Sequence, residues 1–197
     1  MHTYPLPADV ERYSFYLPDA FAPAIDAHPK VLSQFQQLNL TMSRQSARNV
    51  SRSIPVSSAL SFLTSVPSLG VSPGTFARIA AHLGGELKNP NLKVRRRSYQ
   101  FVLQFDVFMK QLRTKKPAFA TCFTNHVASS QHRYWAASYP DDYEEQPYDQ
   151  EWISRWGGEI NFAMQLFDHA IGDLRQFVDQ NPGYRLCVLS SMGQAAT

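Results

Sequence analysis

The sequence predicts an α/β fold: a parallel-type sheet with crossover helices, and a helical cap or insertion placed before it. Three observations carry this expectation. Phe119, Thr121 and Phe123 alternate with Ala118, Ala120 and Cys122, small or β-prone residues that suit a buried strand. Arg185–Ser191 (RLCVLSS) is a second short apolar run that gives way to polar residues. Between them, Ile160, Ala163, Phe167, Ala170, Leu174 and Val178 recur at helical spacing. Such a β–α–β unit is a right-handed crossover, which sets both C-terminal loops on one sheet edge. Ligands of open α/β sheets bind along that edge.

The outer bounds agree with one domain or partial domain over 1–197, with 30–113 mostly helical cap and 114–197 the β–loop–α–β core. A chain of 197 residues is long enough to bury a core, and 44% apolar with 18% charged residues is globular rather than disordered. A formal charge of +3 implies neither a nucleic-acid binder nor a membrane-surface protein. Cys122 and Cys187 are the only cysteines and fall in the two expected strands, so both are expected as reduced packing residues. The N-terminus lacks a basic region followed by an apolar run, and no apolar run has the length of a membrane span. The expected location is cytoplasmic.

In chain order, Pro5, Pro7, Pro18, Pro23 and Pro29 favour extended segments and turns at the start. A short helix is expected around Lys30–Leu38. Arg44, Arg48 and Arg52, spaced by four, would share a solvated helical face. Val56–Val66 reads as a short helix closed by Pro67 and Gly70. Ser72–Pro73 has the form of an N-cap with proline at the first helical position. The helix it opens should turn Phe76, Ile79, Ala80 and Leu83 inward and stop at Gly84–Gly85. Arg95, Arg96 and Arg97 are consecutive, so on a helix they fan around the axis instead of forming one stripe. Phe101, Phe105, Phe108 and Leu112 mark a core-facing helix ended by Pro117. The acidic stretch Tyr139–Tyr148 lacks the alternation and glycine of a calcium loop, and reads as a surface excursion.

The candidate site lies where the two expected strands end. Asn125, His126, His132, Arg133, Tyr134 and Trp135 crowd hydrogen-bonding, metal-binding and stacking groups into a loop. Ser190, Ser191 and Gln194 form its counterpart after the second strand. His126 and His132 are the expected metal ligands, with Asn125 as an oxygen donor for zinc or manganese. Arg133, Trp135, Ser190, Ser191 and Gln194 are the expected ligand-binding groups. A small phosphorylated or glycosidic ligand is the expected partner.

The His132–Arg133–Tyr134–Trp135 segment resembles the His-Arg-aromatic-Trp segment of type I phosphodiesterase and nucleotide-pyrophosphatase-like members of the alkaline phosphatase superfamily. Phe167–Asp168 and Ile171–Gly172 are similar to the helix before their Ser-Asp-His-Gly strand end, which here reads Ser190–Ser191–Met192–Gly193. Leu17–Pro18–Asp19–Ala20–Phe21–Ala22 also looks like this group. The resemblance covers mainly 116–194 and implies phosphate- or sulfate-ester hydrolysis at a two-metal site with a Thr or Ser nucleophile. The sequence departs from that pattern: an expected acidic ligand falls on Ala128, and Ser191–Met192 replaces an Asp-His pair. No counterpart of the nucleophile strand or of the last part of the sheet is recognisable. The expectation is therefore a partial domain, inactive as this chain alone; the alternative is a non-catalytic ligand- or partner-binding module using the same cleft. An unpaired sheet edge would then be covered by missing parent-domain segments or by a second copy in a homo-oligomer.

Overall fold

The computed structural model describes residues 7–18, 22, 25–47, 68–190 and 193. Among these every regular element is helical: α1 (Leu32–Ala47), α2 (Pro73–Lys88), α3 (Arg96–Lys115), α4 (His126–Ser138), α5 (Gln150–Trp156) and α6 (Glu159–Gln180). Three 3-10 turns, Pro7–Arg12, Pro90–Arg95 and Pro140–Asp142, complete the set. Among the described residues the one trace of β pairing is an isolated antiparallel bridge between Tyr16 and His28.

The α/β expectation is therefore corrected: the described chain is helical and forms no sheet. Residues 118–123 and 185–190 take up no regular secondary structure, 118–119 forming a bend, and neither joins a ladder. A strand exists only through a neighbour that pairs its backbone, and β-propensity cannot supply one. The apolar side chains meant for a sheet interior face outward instead: Phe119 is 81% exposed and Leu189 86%. Cys187 is exposed too, against expectation, while Cys122 is half-buried and burial pushes its thiol up to about 11.

The chain divides into two compact units, residues 1–77 with 106–123, and residues 78–105 with 124–197. In the first, α1 buries Leu32, Phe35, Gln36, Asn39 and Leu40, one face at helical spacing. Asn39 donates to Gln36 on that face at 3.4 Å, so the two buried amides partner each other. The helix is longer than the expected Lys30–Leu38. Of the arginine row, Arg48 and Arg52, like the expected helix Val56–Val66, lie outside the described residues. Ser72 caps α2 as its sequence predicts, its Oγ accepting from the Thr75 N–H at 3.1 Å. The Ser72 N–H in turn donates to Asp106 Oδ2 at 2.7 Å. Just before this cap Gly70 takes φ +85°, where a side chain would be strained and would run into Lys110.

The second unit is a helical assembly in which α4 packs against both α6 and α5. The α6 helix buries Ile160, Ala163, Ala170 and Phe177, close to the expected inward face. The first half of α3 buries Phe101, Val102 and Phe105. At the other end of α4, Ala136 and Ala137 are buried, and a Cβ on Gly157 would approach the Ala137 carbonyl to 3.0 Å. Glycine at the end of α5 thus permits a close approach to α4.

Helix α2 reverses the expected orientation. It runs on through Gly84–Gly85 to Lys88, and its buried residues are Thr75, His82 and Glu86. Phe76 and Leu83, expected inward, are exposed, as is Leu87 at 89%. Buried charge explains the choice of face. Glu86 receives Arg96 in a fork, Nε to Oε1 at 2.9 Å and Nη2 to Oε2 at 2.5 Å. A buried carboxylate held this way is satisfied, and it fixes which side of α2 turns inward.

Candidate functional site

The polar segment read as a loop is the helix α4. Three alanines, a glutamine and an arginine within Val127–Ala137 favour a helix, and the residues it buries are small or polar: His126, Ala136 and Ala137. An amphipathic pattern made of alanine and histidine carries little hydrophobic contrast. Asn125 stands at the N-cap but its side chain makes no capping bond, and it is exposed.

The helix separates the two histidines. Six positions apart, His126 and His132 point about 120° from each other around the axis and lie about 9 Å apart along it. His126 is buried, with Nδ1 2.6 Å from Thr124 Oγ1 and Nε2 3.1 Å from the Ala163 carbonyl oxygen. A carbonyl only accepts, so Nε2 carries the proton and Nδ1 accepts from the threonine hydroxyl. Both nitrogens are thereby engaged. The ring stacks on Phe101 at 4.1 Å and 10° between planes, and burial lowers its pKa to about 4. His132 is exposed on another side of α4. Among the described residues no group of three His, Cys, Asp or Glu is placed to hold a metal ion, so the metal-binding expectation finds no assembled ligand set there.

The expected ligand-binding groups also part company. Trp135 donates from Nε1 to Asp142 Oδ2 at 2.8 Å and packs on Tyr139 at 4.6 Å between centroids, tying the acidic connection to α4. Ser190 is exposed at the end of the irregular segment 184–190. Ser191 and Gln194, with Met192, lie outside the described residues. Tyr134 stacks on Trp156 at 5.5 Å and lies 6.4 Å from Trp152, packing α5 onto α4, while Tyr148 of the connection stacks on Trp152 at 3.8 Å.

What the structure does assemble is an arrangement of arginines that spacing alone left unassigned. Each member of the consecutive trio goes a different way. Arg95 forks onto the buried Glu159, Nε to Oε2 at 2.9 Å and Nη2 to Oε1 at 2.7 Å, and lies 4.2 Å over the Phe162 ring. Arg96 takes Glu86, holding that carboxyl below its ordinary value. Arg97 reaches α4, where Nη1 donates to Ser129 Oγ at 2.9 Å. Arg133 follows Ser129 by four residues, on the same face. Burial first, then the charge of Arg133, lowers the pKa of Arg97. The sequence signal for Arg97 was only the triplet itself; nothing local marked Ser129 as its partner. No family model, curated protein or solved structure matches this chain.

Proposed function

We propose that this chain is a non-catalytic ligand- or partner-binding helical module, and that it does not turn esters over on its own. The observation that carries the reading is the state of His126. Its ring is a core side chain with Nδ1 taken by Thr124 and Nε2 by the Ala163 carbonyl. Ligation of a metal would break one of those bonds and draw a stacked ring out of an apolar pocket, which costs several kcal/mol. A binding role uses the exposed Arg133 and His132 as they stand.

The test is release of p-nitrophenol from bis(p-nitrophenyl) phosphate and from p-nitrophenyl phosphate, with zinc or manganese added. The expected rate equals that of buffer with the same metal. Metal-dependent turnover that His132→Ala abolishes would overturn the non-catalytic reading.

A further inference from the structure

We propose that His82, Glu86 and Arg96 form an acid-sensitive catch: when His82 takes up a proton, Glu86 passes from Arg96 to the imidazole, and α2 is untied from the start of α3. The device is independent of the binding role argued above.

Its geometry centres on one carboxylate. Glu86 is the only acid in α2 and is buried. It holds Arg96 at the start of α3, with Arg96 Nε 2.9 Å from Oε1 and Nη2 2.5 Å from Oε2. His82 stands one turn earlier on the same face of α2. Its Nε2 comes 3.0 Å from that same Oε1, without the alignment of a hydrogen bond. Tyr99 of α3 packs on the imidazole at 4.4 Å between centroids, and Phe162 of α6 packs on Tyr99 at 5.9 Å. A single buried oxygen thus stands between a guanidinium and an imidazole. The neutral ring cannot compete with two charge-assisted bonds from Arg96, but an imidazolium can.

The balance of charge makes the protonated state unstable as it stands. With His82 neutral, Arg96 is matched by Glu86, and Arg95 by Glu159 of α6. A proton on His82 adds a cation without a counter-charge of its own. The charged groups that act on the ring are Glu86 from α2, Arg95 from the turn before α3 and Arg96 from α3 itself. Lys93 of the same turn acts on Glu86, and Arg78, one turn before His82, is exposed. Burial first, with Arg95 and Arg96 adding to it, holds the imidazole below its ordinary 6.5 against the pull of Glu86. Arg96 holds Glu86 below its ordinary 4.5, so the carboxylate is still ionised when the ring titrates.

Exposure decides which cation leaves. The side chains of His82 and Glu86 are 6% and 4% exposed, whereas that of Arg96 is 48% exposed. Arg96 reaches water by turning its side chain, and a solvated guanidinium costs little. His82, packed against Tyr99, stays. The remaining pair joins positions four apart on one helix and no longer ties α2 to α3. The folded chain takes up this proton less readily than the unfolded chain, so stability falls as pH drops below 6.5, and release of Arg96 limits that fall.

The experiment is an NMR titration of the full chain from pH 7.5 to 4.5, following the His82 ring nitrogens and the Nε–H signals of Arg95 and Arg96. The Arg96 signal should move to the shift of a solvated arginine with the same midpoint as His82. The Arg95 signal, from the fork with Glu159, should keep its place and so exclude a general opening. In His82→Phe, which keeps a ring against Tyr99, the Arg96 signal should not move over the same range. Should that variant fail to fold, the comparison of Arg96 with Arg95 in the wild type decides alone. An Arg96 signal that outlasts His82 protonation, moves together with Arg95, or moves equally in His82→Phe would overturn the catch. A ring still neutral at pH 4.5 would overturn it too.

Discussion

The imidazole of His126 lies nearly parallel on the ring of Phe101, with centroids 4.1 Å apart and 10° between planes. Phe167 approaches the same imidazole at 6.2 Å. A histidine in this setting behaves as an aromatic core residue with two fixed hydrogen bonds. His126→Ala should therefore lower stability by about 2–4 kcal/mol, combining a cavity with an unsatisfied Ala163 carbonyl. Urea unfolding measures the loss, and zinc affinity at neutral pH should be the same in both proteins. A stability change below about 1 kcal/mol would contradict the core assignment.

The two glutamates of α5 and α6 should behave differently. Glu159 is buried under the Arg95 fork, whereas Glu151 pairs with Arg155 at the surface. Glu159→Gln leaves a partly buried guanidinium without its counter-charge and should cost about 2 kcal/mol. Glu151→Gln should cost less than about 0.5 kcal/mol. Chemical denaturation of both variants at moderate salt decides it, and equal effects would show that burial is not what gives the Arg95 pair its weight.

Exposure along the helices supplies a second contrast. Ile160 is 2% exposed, and Ile160→Ala should cost about 2–4 kcal/mol. Leu87, at 89% exposure, is apolar by sequence yet packs on little, and Leu87→Gln should shift stability by less than about 0.5 kcal/mol. Destabilisation by Leu87→Gln comparable to that of Ile160→Ala would show that the exposed side of α2 is covered in solution.

The helices α3 and α6 were legible because their cores are large and apolar: Phe101, Phe105 and Leu112 in one, Ile160, Ala163 and Ala170 in the other. At α2 the same rule pointed the wrong way. Periodicity assigns the inward face to Phe76 and Leu83, and it has no means of knowing that Glu86 will be neutralised by Arg96 ten residues later. At α4 the inward residues are His126 and alanines, so the helix had no apolar stripe to read. The failed sheet has a different cause. Alternation in 118–123 and apolarity in 185–189 suggest strands, but pairing depends on a neighbour that a local pattern does not contain, and both segments are irregular. The candidate site fared likewise. Its residue types were recognisable, yet which of them meet depends on helical phase, which parts His126 from His132 and sets Arg133 in phase with Ser129.

The acid limb of stability offers the most direct test of His126. Its pKa is lowered to about 4 in the folded chain by burial, against an ordinary 6.5 when unfolded. Between these values the unfolded chain binds a proton that the folded chain refuses, so stability rises with pH across that window. The contribution is fully present above about pH 6.5 and is lost as pH falls towards about 4, a change of about 3 kcal/mol. Glu86 adds a separate loss at lower pH, because Arg96 holds its carboxyl below the ordinary 4.5. His126→Phe keeps a ring against Phe101 and removes the titration. Urea unfolding of both proteins from pH 7.5 to 4 should show a decline that is steeper in the wild type, since His82, whose pKa burial also lowers, titrates in both. The variant should start less stable, since Thr124 and the Ala163 carbonyl lose their partner, and the two curves should converge as pH falls. Parallel curves through that window would mean that the imidazole titrates in contact with water, and His126 would then be available to a ligand after all.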